Sequence, residues 1–288
     1  MINFKVTIIG LGLIGGSIGL ALKSKTGCTV VGFDTDEGAM KEALKLGAID
    51  SGAVNIFKCI SDSEIVFIAT PISKVMPTLR LIAPMVKPGT LITDVASVKG
   101  KIMDEAMKIV GNKVAFIGGH PMAGKETSGI GVAEKDLFVG RKWILIPGKQ
   151  SSKKNQQKLE ETIKVIGGIP ITIEAQAHDQ SVAVISHLPF VVSNTLFNSA
   201  TGSQNWEMAK NLAAGGFKDT TRLASGNPTM HSEIVLANRD NVLNELDSFI
   251  SKLKITRNLI ASGDGCKIES FFSTTKISRD KWLKEVFS

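Results

Sequence analysis

The 288-residue sequence predicts an α/β fold: a doubly wound parallel sheet over residues 1–174, followed by an all-helical domain over 175–288. Three observations carry the prediction. Short β-branched apolar runs alternate with helical periods through the first 174 residues. The first run, Val6-Thr7-Ile8-Ile9, leads directly into Gly10-Leu11-Gly12-Leu13-Ile14-Gly15 and a helical stretch. From Ala175 onward no clear strand pattern remains, only helical ones.

The glycine turn divides its work. Gly10 permits a tight turn off the strand, Gly12 removes a Cβ where a pyrophosphate would approach, and Gly15 lets helix and strand pack closely. Phosphates would then meet free N–H groups at the helix N-terminus around Leu13 and Ile14, where the helix dipole favours negative charge. Thr29 to Phe33 reads as the next strand and ends at Asp34, a carboxylate spaced to bind an adenosine ribose 2′-OH. Strand, glycine turn, helix, strand and acid in this order predict a Rossmann-type dinucleotide-binding unit.

The remaining elements follow from the same signals. Glu37 to Leu46 reads as a helix ended by Gly47. Ile65 to Ala69 is a buried parallel-type strand stopped by Thr70-Pro71, and Val75 to Val86 a helix closed by Lys87-Pro88-Gly89. Leu91 to Thr93 is a strand running into Asp94-Val95-Ala96-Ser97, with a helix over Lys99 to Val110. Val114 to Ile117 runs into a glycine-rich loop, Gly118 to Gly124, that carries His120. Trp143 to Ile146 and Ile171 to Ile173 are the last strands, with a helix over Lys153 to Ile166. Thr70, Ser97 and His120 each follow a strand's carboxyl end, where open α/β sheets bind ligands, and so group into one site with Pro71 beside them. In the helical part, Gln176 to Ser199 reads as one long helix, Asn227-Pro228 as a helix start, and Asn241 to Ala261 as an amphipathic helix ended by Gly263.

Composition narrows the class. With 43% hydrophobic and 21% charged residues the chain can bury a large core. No apolar run reaches the ~18 residues of a membrane span, and no charged-then-apolar leader precedes Val6, so no membrane association and a cytoplasmic protein are expected. Cys28, Cys59 and Cys266 are scattered, which argues against disulfides or zinc. The net charge of +7 raises the question of nucleic acid, but the densest cluster, Lys149, Lys153, Lys154 and Lys158, has no aromatics among it and reads as a solvated helix face.

Four histidines are present. Histidine accepts a proton near neutral pH without special tuning, so His120 is the candidate base. His178 and His187 stand nine residues apart on the predicted long helix, which puts them on opposite faces, so only one of them can face a ligand. His187, in Ser186-His187-Leu188-Pro189 where the proline would kink the helix, is favoured; His178, beside Asp179 at the helix start, reads as structural or capping. His231 reads as solvent-facing or structural. Arg222 could bind a carboxylate in bidentate fashion or pair with Asp219 on a helix surface; composition alone favours the surface pair.

These residues also amount to a family resemblance. The run GLGLIGGSIG, Asp94 to Lys99, GGHPMAGKETSG from Gly118 to Gly129, Ser186-His187-Leu188-Pro189, and Gly216 to Arg222 together resemble the prephenate/arogenate dehydrogenases of tyrosine biosynthesis, in their short monofunctional form, over nearly the whole chain. The resemblance implies oxidative decarboxylation of prephenate, or of arogenate, by a homodimer using NAD or NADP. It implies that His120 accepts the C4 hydroxyl proton and that Ser97 helps hold that hydroxyl. By the same resemblance Arg222 binds the ring carboxylate, Asp219 supports Arg222, His187 lines the substrate pocket, and Glu126 stands near its mouth. Asp34, followed by Thr35 and Asp36 with no arginine, favours NAD over NADP. Two rivals are a β-hydroxyacid dehydrogenase, which relies on a lysine of the helical domain, and a dinucleotide-sensing module without turnover.

Overall fold

The structure, a computed structural model, describes residues 4–53, 55–111, 114–125 and 127–287. It forms two compact units, 1–241 and 242–288. The larger is built on one sheet of eight strands in the order β3-β2-β1-β4-β5-β6-β7-β8. These are β1 (Lys5–Ile9), β2 (Thr29–Phe33), β3 (Ser51–Gly52), β4 (Ile65–Ile68), β5 (Leu91–Asp94), β6 (Ala115–Pro121), β7 (Lys142–Pro147) and β8 (Ile169–Thr172). The helices between them are α1 (Leu13–Lys25), α2 (Glu37–Lys45), α3 (Ile56–Ile60), α4 (Ile72–Ile82), α5 (Gly100–Val110) and α6 (Lys153–Val165).

Strand alternation explains the two-sided core. Ile65 and Phe67 of β4 join one apolar cluster with Ile18 and Leu22 of α1 and Ile163 of α6. Val66 and Ile68 face the other way and join Leu79 of α4 and Ile102 and Ala106 of α5. Strand order reverses between β1 and β4, which puts a crevice at the carboxyl ends of those strands.

The glycine turn has the geometry its sequence demands. Gly10 has φ +96°, a conformation L-residues rarely adopt. A Cβ on Gly15 would lie 1.9 Å from the Gly10 carbonyl oxygen, whereas one on Gly12 would meet nothing within 4 Å. Gly15→Ala is therefore expected to destabilise the fold by about 1–3 kcal/mol, read as a lowered thermal midpoint. Gly12→Ala should leave that midpoint unchanged; equal loss in both would contradict the packing argument.

The sheet departs from the expected parallel order at one place. β7 runs antiparallel to β6, with His120 opposite Ile144, and β8 is parallel to β7. The two-residue strand β3 was not foreseen either; its Ser51-Gly52 is too short for any periodic signal.

The helices that follow the sheet are α7 (Ala175–Val182), α8 (Leu188–Thr201), α9 (Trp206–Leu212), α10 (Gly215–Thr220) and α11 (Pro228–Ala237). As the sequence predicts, Asn227 caps α11: its Oδ1 accepts from the Met230 N–H at 3.0 Å, and Pro228 fills the first turn. The expected single helix from 176 to 199 is instead broken by a π-helical turn, Ala183–His187, between α7 and α8. The smaller unit holds most of α12 (Arg239–Ala261) and α13 (Gly265–Phe287), with Leu253, Ile255, Phe272, Ile277 and Trp282 among its exposed apolar residues. Among the described residues no helix is long and apolar enough to cross a membrane.

Candidate active site

The site grows from the carboxyl ends of β1, β2, β4, β5 and β6. At β1, the N-cap position of α1 is Gly12 and no side chain caps the helix, so N–H groups of its first turn keep their hydrogen-bonding capacity. Beside them lies a cavity of about 440 Å³ lined by Leu11, Gly12, Asp34, Asp36, Gly38 and Ile130. Both oxygens of Asp34 are engaged: Oδ2 accepts from the Leu11 N–H at 2.7 Å and Oδ1 from the Asp36 N–H at 2.9 Å. A Cβ on Gly10 would press within 2.5 Å of the Ala69 carbonyl oxygen and 2.9 Å of the Thr70 nitrogen, so the turn after β4 abuts the glycine turn. Thr70 Oγ1 is buried without a hydrogen-bond partner among the described residues, and Pro71 precedes α4. An open approach at Gly12, uncapped N–H groups and a neighbouring cavity fit a dinucleotide.

At β5, Asp94 organises the chemistry without taking part in the predicted set. Its Oδ2 accepts from the Ala96 N–H at 2.9 Å and its Oδ1 from the Gly119 N–H at 3.2 Å. One carboxylate thus ties the loop carrying half-buried Ser97 to the strand carrying His120. Asp94 also pairs with the Lys99 ammonium; both side chains are fully buried. Burial pushes the Lys99 pKa below the usual lysine value, against the pull of Asp94.

His120 lies on strand β6 and not in a ligand-facing loop, which corrects the reading of its glycines. A Cβ on Gly119 would fall 2.5 Å from the Asp94 carbonyl oxygen, and one on Gly118 2.7 Å from Met103 Sδ. Those glycines make room for Asp94, Lys99 and Met103, and the antiparallel ladder fixes the backbone that carries the histidine. Part of His120 stays accessible, yet protein surrounds its ring. That desolvation, reinforced by His178, Lys99 and His187, holds its pKa well below the ordinary histidine value.

The helical segments close the site differently from the helical-wheel expectation. His178 and His187 do not separate into one buried and one remote residue: both are 1% exposed. The π-helical turn ends at His187 and breaks the even rotation per residue on which the opposite-face argument rested. His178 Nε2 lies 2.8 Å from His120 Nδ1, and its Nδ1 lies 2.7 Å from Asp179 Oδ1. It is part of the site, not a cap. The cap is Asp179, whose two oxygens accept from the Lys99 and Gly100 N–H groups at the start of α5, at 2.8 and 2.7 Å. Asn238 donates from Nδ2 to the Asp179 carbonyl at 2.7 Å and to His187 Nδ1 at 3.1 Å. His187 Nε2 therefore carries its proton, and it has no partner among the described residues. Burial lowers the His187 pKa to about 4. His231 stacks on Phe190 with ring centroids 4.2 Å apart.

The other predicted residues are more peripheral. Asp219 is exposed on α10; Arg222 is exposed and opens a 3₁₀ turn, Arg222–Ser225, that packs against α8. Glu126 lies outside the described residues. Lys99, His178, Asp179 and Asn238 escaped the sequence reading as site members. The only available signals were the adjacency of His178 to Asp179 and the place of Lys99 at the end of the Asp94 run.

A histidine enclosed on the sheet that opens with a dinucleotide-type glycine turn fits a nicotinamide-dependent oxidoreductase. Comparison with known proteins narrows this. Residues 18–172 match the family described as prephenate dehydrogenase, nucleotide-binding domain, and residues 174–274 the one described as prephenate dehydrogenase, dimerization domain. Prephenate dehydrogenase of Bacillus subtilis is 35% identical over 278 residues, covering 96% of this chain and 75% of that protein. The crystal structure of Synechocystis arogenate dehydrogenase aligns with a TM-score of 0.84 at 31% identity, over 96% of this chain and 99% of that one. Prephenate dehydrogenase from A. aeolicus, in complex with hydroxyphenyl propionate and NAD⁺, aligns with a TM-score of 0.90 at 28% identity, over 98% and 99%. The chain belongs to the prephenate dehydrogenase family.

Proposed function

We propose that this protein oxidatively decarboxylates prephenate to 4-hydroxyphenylpyruvate, with NAD as the hydride acceptor, in tyrosine biosynthesis. The observation that carries the reading is His120, enclosed and uncharged on β6, one residue from the Gly119 N–H that Asp94 binds. A bound nicotinamide supplies the hydride acceptor. His120 takes the proton of the C4 hydroxyl, and Ser97 holds that hydroxyl in place. Arg222, supported by Asp219, binds the ring carboxylate, which departs as carbon dioxide as the ring becomes aromatic. His187 offers its Nε2–H to the substrate, and the family resemblance assigns Glu126 a place near the pocket mouth. Gly10, Gly12, Leu13, Ile14 and Gly15 hold the pyrophosphate, Thr70 and Pro71 border it, and Asp34 takes the ribose 2′-OH. NAD is preferred because a carboxylate at 34 repels a 2′-phosphate. Residues 1–174 carry the dinucleotide and 175–288 complete the substrate pocket and form a homodimer, a reading supported by the exposed apolar side chains of α12 and α13.

A second reading is arogenate converted directly to tyrosine with NADP; its substrate is supported by the likeness to Synechocystis arogenate dehydrogenase. Steady-state assays with prephenate or arogenate, each with NAD or NADP, separate the two. A dominant rate with prephenate and NAD is expected. A dominant arogenate rate would move the substrate assignment, and no rate with any pair would leave a sensing role. Mass in solution is expected at twice the 30.7 kDa chain, and a monomer at working concentrations would remove the dimer.

A further inference from the structure

His120 is held from behind by a chain of hydrogen bonds whose direction can be worked out. Peptide N–H groups only donate, so the Lys99 and Gly100 N–H groups oblige both oxygens of Asp179 to accept. Burial would raise the Asp179 carboxyl, but hydrogen bonds from His178 and from those two N–H groups outweigh it and hold it below the usual range. The carboxylate, acceptor-only, sits 2.7 Å from His178 Nδ1, so that nitrogen bears a proton. Where His178 carries that single ring proton, only its Nε2 lone pair faces His120 Nδ1 at 2.8 Å, and His120 then donates from Nδ1.

The geometry points to His178 and Asp179 as positioning residues that fix His120 in the Nδ1–H form and leave Nε2 as its proton-accepting atom. This rests on the assignment of His120 as the base. The same chain answers an electrostatic difficulty. A proton arriving at Nε2 makes a cation that burial and then His178, Lys99 and His187 all disfavour. Asp94, the carboxylate at the end of β5, is already paired with Lys99. Asp179, one imidazole away, is the anion that faces His120 through a hydrogen-bonded path. The logic is that of an acid–imidazole pair in which the carboxylate sets tautomer and orientation and remains ionised.

The test uses the full-length protein. Nitrogen-15 spectra of labelled histidine resolve four residues, assigned by single His→Gln variants. At neutral pH His120 is expected to show a protonated Nδ1 and an unprotonated Nε2. Asp179→Asn should keep this tautomer and remove the negative charge, because the amide oxygen at the Oδ1 place still accepts from both the Lys99 N–H and His178 Nδ1. It should lower kcat by about 10²- to 10⁴-fold while leaving KM and dinucleotide affinity unchanged. Asp179→Asn also touches the α5 cap, so His178→Gln is the second variant: the cap stays, and kcat should fall in the same range with an unchanged thermal midpoint. Two results would overturn the assignment: an unprotonated His120 Nδ1 in the parent protein, or His178→Gln with parental kcat. If the parent protein turns over no cyclohexadienyl substrate, the catalytic reading fails by itself, and the spectra still decide the tautomer.

Discussion

His120→Asn is expected to lower kcat by about 10²- to 10⁴-fold, the range general-base groups contribute, with dinucleotide affinity unchanged. Asparagine suits the test because its amide N–H can replace the donor at Nδ1 and still reach His178 Nε2, while nothing replaces Nε2. Single-turnover rates and a cofactor titration measure the two halves. Parental turnover would remove His120 from the proton step and revive a lysine-based mechanism. The pH dependence follows from the same atom. Only the neutral ring accepts a proton, and burial with His178, Lys99 and His187 holds its pKa well below the ordinary value. The rate should therefore stay level as pH falls through the usual histidine range, and drop only below it. Stability responds sooner. His187 takes a proton in the unfolded chain near 6.5 but in the folded one only near 4. Its contribution is intact above about pH 6.5 and is lost progressively as pH falls toward 4. Thermal midpoints recorded beside the rates separate titration from unfolding.

The second large effect is expected at the buried pair on β5 and α5. Lys99→Met should cost about 3–5 kcal/mol, because it strands the Asp94 carboxylate in a fully enclosed position. Asp94→Asn with Lys99→Met should lose less than the sum of the single changes, since each single variant leaves the other charge unpaired. Chemical denaturation measures both; a loss below 1 kcal/mol for Lys99→Met would mean that water or another group compensates Asp94. Lys99→Met also removes a charge that disfavours protonated His120, so the acid limb of the activity profile should move to higher pH.

How much of this was readable in the sequence depends on the range of the interaction. The glycine turn, Asp34 and the Asn227 cap are local, and their residue types state their geometry. β7 is not: Trp143 to Ile146 looks the same running either way, and only its pairing with β6 shows it antiparallel. The Gly118-Gly119 pair was legible as a requirement for small residues but not for its cause, which lies in Asp94 and Met103. Asp179 binds backbone 80 residues away, beyond any periodicity argument. His178 was misjudged because a helical wheel assumes uniform rotation, and five residues in a wider turn defeat it.

Asp34 carries a consequence for attempts to exchange one dinucleotide for another. Its two oxygens brace Leu11 in the glycine turn and Asp36 at the start of α2, so the group proposed to discriminate is also a structural strut. Replacing it by serine or alanine alone removes at least one brace together with the proposed repulsion. Affinity for both dinucleotides should then fall, and selectivity should blur instead of inverting. A clean exchange needs an acceptor kept at 34 for the Leu11 N–H, with a cation introduced at Thr35 or Asp36. If preference is set at this position, it cannot be moved without also moving the scaffold, and an engineer has to change both together.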